Sequence, residues 1–325
     1  MKGEKKKMKK MEYAMEVAKK VNGDVREIEK ANGVKFIGIT VRSDSNITPT
    51  IYIDQMYADD LTIDEAAEKV KKIYEERKID HLDLNYLNDY ETVRPMLRAR
   101  LYNKKTRAEV YKKVQDPFDD LIIVPVVDGV IENGSFRVQE SHLKMWGVTA
   151  DEVISQAEKN SSERCTLQTM KELLVEMIGS SIADEIPDDN MMYVISNTER
   201  MFGAFSVIPM LPELKEKFPE GFAIIPSSVH EVLLVPVKDN EGLDDIIRNV
   251  NETELAAVDV LGDHAYMILP DKKFIVKDIP DEYEDDSIKM PITHDSLPTP
   301  ERCENYDPYR CEARDCWDCM DWLEF

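Results

Sequence analysis

The stretch from Met191 to Pro236 constrains the fold most, because short apolar runs alternate in it with residues that break strands and helices. Met191 to Ser196 is a β-branched and aromatic run, and Met201 to Ile208 is a second apolar run after polar turn residues. Prolines then exclude a further strand and favour a short helix. Two more strands are expected over Phe222 to Ile225 and Val229 to Val237. The stretch therefore predicts a small antiparallel sheet that carries a helix.

The rest of the chain shows the same mixture of helix and strand patterns. Thr62 begins the clearest helix, because Glu65 lies three residues later and completes a capping box. Thr149 and Glu152 repeat this pattern and predict another helix. Further predicted elements are helices over Met11 to Val21, Tyr90 to Leu101 and Thr166 to Ile178, and strand pairs of Val34 to Val41 with Thr50 to Tyr57 and of Leu121 to Val127 with Ser135 to Val138. Hairpins mixed with helices favour an α+β fold, with a mixed or antiparallel sheet and flanking helices, over a doubly wound parallel sheet.

Composition divides the chain into four parts. Residues 1–10 contain six lysines and one glutamate, and we expect them to be a disordered basic leader. An N-terminal α+β half is expected over residues 11–183 and a C-terminal α+β half over residues 191–277, separated by the acidic turn at 184–190. Residues 278–325 are expected to form an acidic linker and a short Cys-rich tail, because fifteen acidic residues face four basic ones there.

Charge and hydropathy favour some partners over others. The chain has 325 residues and 42% hydrophobic content, which is enough for a sizeable core. Its formal net charge of -23 opposes general attraction to nucleic acid or an anionic membrane, so we expect a protein partner. No apolar run approaches the roughly 20 residues that a membrane-spanning helix needs, and no apolar signal region follows the N-terminal lysines. These features predict a cytoplasmic protein.

One segment invites a catalytic interpretation. Ser228 and His230, if both are extended, point to the same sheet face, so a hydroxyl and an imidazole can approach each other. Asp263 or His264 can complete a hydrolase site only if the two strands are neighbours. The competing interpretation is ordinary turn chemistry, because the chain has no GxSxG motif and a Ser-Ser corner is typical of turns. We favour the turn.

The C-terminal tail holds four of the five cysteines in the chain, Cys303, Cys311, Cys316 and Cys319, within seventeen residues. Their thiolates can bind zinc as a tetrathiolate site, and zinc is therefore the candidate cofactor. Against zinc, there is only one CxxC pair, and the surrounding acidic residues raise thiol pKa values. An iron–sulfur cluster or a redox pair uses the same ligands at less typical spacing. The third interpretation is a reduced tail whose aromatic end docks on a partner or on its own domain, and the choice stays open.

Three further segments of the chain are distinctive: ISNTERMFGA from Ile195 to Ala204, IIPSSVHEVLLVP from Ile224 to Pro236 and VLGDHAYMI from Val260 to Ile268. They resemble an uncharacterised bacterial family of unknown function that is typical of anaerobic gut bacteria. SHLKMWGVTADEV, from Ser141 to Val153, is similar to the same family and to a second uncharacterised family. The resemblance covers roughly Tyr13 to Pro270 and implies no activity, cofactor or catalytic residue.

We therefore interpret the chain as an interaction or regulatory protein more than as an enzyme, with a hydrolase based on Ser228 and His230 as the alternative. Nucleotide binding through glycine-rich loops has no support, because the chain has neither GxGxxG nor GxxxxGK[ST].

Overall fold

A computed structural model describes residues 8–79, 82–130, 134–179, 192–236 and 242–270. Within these ranges the protein has an α+β fold whose three sheets are antiparallel throughout, which confirms the predicted fold class. The acidic turn at 184–190 and the four tail cysteines lie outside the described residues. No helix within the described ranges is both long enough and apolar enough to cross a membrane.

The first sheet lies near the N-terminus and packs against two helices. Its strands are β1 (Gly23–Glu29), β2 (Lys35–Val41) and β3 (Thr50–Tyr52), in that order. The helices of this region are α1 (Lys10–Val21), α2 (Asp54–Ala58) and α3 (Ile63–Arg77). Val17, Ile39 and Val70 are fully buried between sheet and helices, in a core of their own. The capping box of Thr62 and Glu65 begins α3 as predicted.

The second sheet is built around a central strand that is apolar except for its last residue, Asp128. It contains β4 (Leu97–Asn103), β5 (Lys112–Lys113), β6 (Leu121–Asp128) and β7 (Ser135–Arg137). Strand β4 pairs with one edge of β6, and β5 and β7 share the other edge. Three helices belong to this region, α4 (Tyr90–Val93), α5 (Glu140–Trp146) and α6 (Ala150–Ser162). The hairpin of β6 with β7 and the capping box at the start of α6 are confirmed.

The prediction of one helix over Tyr90 to Leu101 is wrong. Helix α4 ends at Val93, and a turn of 3₁₀-helix that contains Pro95 leads directly into β4. Proline ends the helix because it lacks an amide hydrogen and clashes with the preceding turn. After it, the buried residues Leu97, Ala99 and Leu101 alternate with other residues, which is the period of a strand.

The third sheet follows in the chain and has the strand order β12-β10-β11-β9-β8. Its strands are β8 (Cys165–Thr169), β9 (Tyr193–Asn197), β10 (Phe222–Ile225), β11 (Val232–Pro236) and β12 (Tyr266–Ile268). Its helices are α7 (Met170–Ile178), α8 (Val207–Lys217) and α9 (Leu243–Thr253). The predicted antiparallel sheet with a helix between its strands is thus present.

Two predicted elements of this region are wrong in type. Residues 165–169 form a strand that pairs with β9, so only the second part of the helix expected over Thr166 to Ile178 exists. Thr169 caps that helix through a box with Glu172, which fixes its start. The strand expected over Met201 to Ile208 is instead a 3₁₀ turn (Gly203–Ser206) followed by α8.

The second and third sheets share one hydrophobic core. Leu101 and Ile123 from the second sheet join Ile195 and Leu234 from the third sheet in a single buried cluster. Pairing of β8 with β9 links residues on the two sides of the acidic turn. The division of the chain into halves at that turn stays a prediction, since the turn itself lies outside the described residues.

Candidate functional site

Ser228 lies in the corner between β10 and β11, and its hydroxyl is engaged in local turn bonds. The side chain is buried, with 3% of the residue exposed. Its Oγ accepts a hydrogen bond from the amide of His230 at 3.0 Å and donates to Glu231 Oε1 at 3.1 Å. The His230 imidazole is bonded elsewhere, because its Nδ1 accepts from the amide of Phe202 at 3.1 Å. This arrangement is turn chemistry and not a nucleophile hydrogen-bonded to its base.

Asp263 and His264 form a pair of their own. The Asp263 Oδ1 and His264 Nδ1 atoms are 3.0 Å apart, and this hydrogen bond raises the pKa of His264 and lowers that of Asp263. The carboxylate within ion-pair distance of His230 is that of Asp259, at 3.7 Å. The structure therefore places the four candidate catalytic residues in two separate groups, and the hydrolase hypothesis gains no support from this geometry.

A buried tyrosine lies beside the Asp263 and His264 pair. Tyr266 donates from its hydroxyl to Asp120 Oδ1 at 2.9 Å, and its ring contacts that of His264 with centroids 4.8 Å apart. Burial raises the pKa of the Asp120 carboxyl and of the Tyr266 hydroxyl. These groups satisfy one another, as expected for a structural network at the edge of the third sheet.

Cysteine chemistry has no visible site in the described ranges. Cys165 begins β8 instead of a helix, and its thiol contacts the carbonyl of Ser161 at 3.6 Å. Burial raises the pKa of the Cys165 thiol, which favours the unreactive protonated form. No cluster of three His, Cys, Asp or Glu residues able to hold a metal occurs in the described part of the chain. Cys303, Cys311, Cys316 and Cys319 lie outside it.

A cavity of about 230 Å³ opens on the face of the third sheet that points away from the core. Strand register explains its floor, because Gln168 pairs with Val194 and Val194 pairs with Leu233, so these three side chains form one row across the sheet. Met170 and Leu173 at the start of α7 form one wall. We call this cavity the α7 groove. No sequence pattern predicts this groove, because its floor requires residues 166–169 to be a strand and the sequence pattern predicts a helix there.

The two charged side chains of the α7 groove, Glu231 and Arg200, differ in whether they are paired with an opposite charge. Glu231 Oε1 accepts from the hydroxyls of Ser227 at 3.3 Å and Ser228 at 3.1 Å, and no basic group of the described residues lies within ion-pair distance of it. Arg200 also lines the groove, but its guanidinium is paired with Glu176. The groove thus presents a carboxylate without a basic partner among the described residues, in a lining that is partly polar and partly apolar.

Helix α7 itself, MKELLVEMI, is apolar but contains no buried residue. Met177 is 67% exposed and Ile178 is 62% exposed. Met170, Leu173 and Met177 follow one another at helical spacing, so the apolar stripe that lines the groove continues onto the exposed end of the helix. Apolar side chains left in water beside a cavity are typical of an interaction surface.

The loop between β9 and the following 3₁₀ turn is held in an unusual backbone conformation. Arg200 and Phe202 both have positive φ angles, of 55° and 53°, which non-glycine residues rarely adopt. The Asn197 side chain bonds both backbone groups of Met201, accepting from its amide and donating to its carbonyl. Backbone strain of this kind persists only where surrounding contacts impose it, and such sites are often functional.

Taken together, the fold and the groove define an α+β protein with a ligand-sized surface cavity. The chain belongs to DUF5688, a family of unknown function, which it matches over residues 5–268. This membership confirms the resemblance to a family of unknown function. No curated protein and no solved structure matches the chain.

Proposed function

We propose that this is a cytoplasmic interaction protein that binds an apolar peptide segment carrying a lysine or arginine from a partner protein. The binding site is the α7 groove together with the exposed end of α7. The observation that carries the proposal is the apolar stripe of α7, which stays exposed beside a cavity of about 230 Å³.

The apolar stripe supplies the binding free energy in this proposal. Met177 and Ile178 expose most of their surface, and covering an apolar side chain of this size contributes about 1.5–3 kcal/mol. A peptide recognised by a groove uses a few such anchors at fixed spacing. Met170 and Leu173 form the wall against which an anchor would pack.

The charge of the groove selects the peptide. Glu231 is partly buried and has two hydroxyl donors but no cation from the described residues. A lysine or arginine of the partner would pair with it, and a charge-assisted hydrogen bond is roughly twice as strong as a neutral one. The net charge of -23 acts in the same direction, since it attracts basic segments and repels acidic ones.

The test selects binders for the purified protein from a displayed library of random dodecapeptides and measures the affinity of the resulting synthetic peptides by fluorescence anisotropy. We expect the selected peptides to combine apolar residues with Lys or Arg. Met177→Gln should weaken their binding about tenfold, because one anchor loses its contact. Glu231→Gln should weaken it by a similar factor of about ten, because the isosteric amide still accepts from both serines but has no charge.

Ile246→Gln is the matched control. Ile246 lies on α9 and is 60% exposed, so the change removes an apolar side chain of comparable exposure far along the chain from α7. Binding should change less than about twofold, a difference well under 1 kcal/mol. Peptides that bind Met177→Gln as tightly as the wild type, or that are enriched in acidic residues, contradict the proposal.

We further propose that the tail cysteines Cys303, Cys311, Cys316 and Cys319 bind one zinc ion. The support comes from the sequence, where four thiols fall within seventeen residues of a segment too short for a core of its own. Elemental analysis should find about one zinc per chain, absent when all four cysteines are changed to serine. Freshly purified wild-type protein that contains no metal and has four freely reactive thiols would contradict this proposal.

A further inference from the structure

A second cavity lies between the second and third sheets and is lined by three arginines. Arg98 and Arg100 are two residues apart on β4, so both extend from the sheet face opposite to Leu97 and Leu101. Arg164 joins them from the turn between α6 and β8. Their cavity has a volume of about 50 Å³, and we call it the arginine cavity.

Arg100 is almost completely buried in this cavity, with 5% of its side chain exposed. Its guanidinium carbon lies 3.6 Å from the centroid of the Phe202 ring, which fixes the plane of the group by cation–π stacking. Its Nη2 lies 3.6 Å from Asp128 Oδ1. A buried and oriented guanidinium is prepared to bind an anion in a fixed geometry.

Arg98 has no carboxylate partner among the described residues. Its Nη1 donates to the carbonyls of Pro95 and Leu97, both at 2.8 Å, while its Nε and Nη2 find no acceptor in the described ranges. Burial lowers the pKa of Arg98, and the positive charge of Arg164 lowers it further. The group is therefore a partly desolvated cation whose charge an incoming anion would compensate.

The arginine cavity concentrates positive groups at one place. Three arginines line it together with two carboxylates, Asp128 and Glu199, and Glu199 is paired with Arg164. Glu163 also acts on Arg98, since its negative charge raises the pKa of that group. Three guanidinium groups at one cavity are not explained by general electrostatics in a chain whose overall charge is -23, since the rest of the molecule would repel a mobile anion.

One wall of the cavity is held rigidly. Phe202 has a positive φ angle and donates its amide to His230, as described above. Gly203 follows in close contact with its neighbours, because a Cβ atom there would lie 2.5 Å from the Asn197 amide and 2.8 Å from the His230 carbonyl. Rigid placement of the binding groups reduces the entropy that a ligand loses on binding.

We propose that the arginine cavity binds the phosphate group of a small ligand or free phosphate. A cavity needs about 10–15 Å³ for one water molecule, so about 50 Å³ accommodates a group of a few heavy atoms and excludes a whole nucleotide. A phosphate dianion accepts hydrogen bonds in several directions, which matches guanidinium groups that converge from β4 and from the α6–β8 turn. The arginine cavity and the α7 groove share no lining residue, although both border the end of β9 and the loop after it.

The test is a calorimetric titration of the full-length protein with inorganic phosphate in chloride buffer at constant ionic strength. Wild-type protein should bind one phosphate per chain with a Kd below about 1 mM. Arg98→Gln should weaken binding at least about tenfold, because it removes the cation without a carboxylate partner. Arg164→Gln should weaken phosphate binding as well. If Arg98→Gln does not fold, the affinity of Arg164→Gln shows whether the arginine cavity binds phosphate.

Arg248→Gln is the matched control, because Arg248 is exposed on α9 and pairs with Asp245. Its phosphate affinity should equal that of the wild type. Glycerol phosphate and succinate complete the experiment. Tighter binding of glycerol phosphate than of phosphate identifies a phosphomonoester as the ligand, and the reverse order identifies the free ion.

Three results would overturn the proposal. The first is a titration of wild-type protein that does not saturate. The second is equal affinity of the wild type, Arg98→Gln and Arg164→Gln for phosphate. The third is succinate binding more tightly than phosphate, which would assign the cavity to carboxylates.

Discussion

His142 on α5 is a residue whose ionisation is strongly changed by folding. It is 2% exposed, its ring stacks on Trp146 at a centroid distance of 5.4 Å, and its Nδ1 accepts from the amide of Gln139 at 3.0 Å. Burial lowers the pKa of His142 from 6.5 to about 4. The fold therefore holds this imidazole neutral at a pH where the unfolded chain has already bound a proton.

This difference predicts acid sensitivity of a definite sign. Because the folded pKa is below the unfolded one, stability is fully present above pH 6.5 and is lost as the pH falls towards 4. The loss attributable to this one group is about 3 kcal/mol. His142→Gln removes the titration but keeps a capping-box acceptor at the same helix position.

Urea unfolding at pH 7, 5.5 and 4.5 measures the effect. The free energy of unfolding of the wild type should fall more steeply with decreasing pH than that of His142→Gln, and the two curves should converge. Parallel curves would show that another group controls the acid transition. His264→Gln serves as the control, since the pKa of His264 is raised and its contribution is lost at high pH instead.

Among the connecting elements, the loop from Asn197 to Gly203 has the strictest steric requirement. A Cβ atom on Gly203 would lie 2.3 Å from Ser196 Oγ and within 3 Å of two backbone atoms. Backbone atoms cannot rotate away, so Gly203→Ala should lower the free energy of unfolding by about 3 kcal/mol. Thermal and urea unfolding measure this loss.

Gly129→Ala separates crowding from backbone conformation. Gly129 has a φ angle of 77°, and no atom of the described residues lies within 4 Å of the added Cβ, so the left-handed backbone is the cost that the structure shows there. The expected cost is roughly 1–2 kcal/mol. A Gly203→Ala protein that is as stable as the wild type would show that the loop can move as a unit, and the rigid wall of the arginine cavity would then lose its support.

Sequence patterns predicted the elements that are stabilised by interactions between residues close together in the chain. The capping boxes at Thr62 and Thr149 fixed two helix starts, because the bonds join residues three apart in the chain. The strand over Cys165–Thr169 could not be recognised in this way, since it depends on pairing with β9. The apolar residues of β8 and of α7, which follow each other directly in the chain, together have the spacing of one longer helix.

The candidate sites differ in the same way, since some depend on residues that are near in sequence and others on residues that only the fold brings together. The Ser-Ser corner has local turn hydrogen bonds, because Ser228 and Glu231 are near in sequence. Neither cavity has a sequence signature, since the α7 groove needs three paired strands and the arginine cavity needs β4 beside the loop after β9. The alternation of Arg98 and Arg100 with apolar residues is typical of a strand, but by itself it does not indicate a cavity.

On the scale of the whole molecule, the described residues contain two hydrophobic clusters, which are joined by polar contacts and by Ala31, a residue of the β1–β2 turn that packs into the larger cluster. The first sheet and its helices form one cluster, and the second and third sheets form the other. Asn32 lies between β1 and β2, and its side-chain amide donates to the carbonyls of Ala257 at 2.8 Å and Val260 at 2.7 Å. Arg107 adds an ion pair with Glu29 at 3.2 Å. Coupling between the two clusters should therefore depend strongly on Asn32.

Asn32→Asp tests this dependence, because the carboxylate cannot donate and faces two carbonyl oxygens. The free energy of unfolding should fall by about 1–2 kcal/mol, as expected for partly exposed hydrogen bonds lost together with added repulsion.

Hydrogen exchange measures where the loss occurs. Amides of β1 and β2 should exchange faster in the variant, while amides of β6 keep their protection, because local opening of the first sheet no longer breaks these bonds. Asn32→Gly keeps access to the positive φ angle of 61° and removes only the amide, so its effect should have the same location and a smaller size. Faster exchange spread evenly over all three sheets would instead mean that the two clusters unfold only as one unit, whatever holds them together.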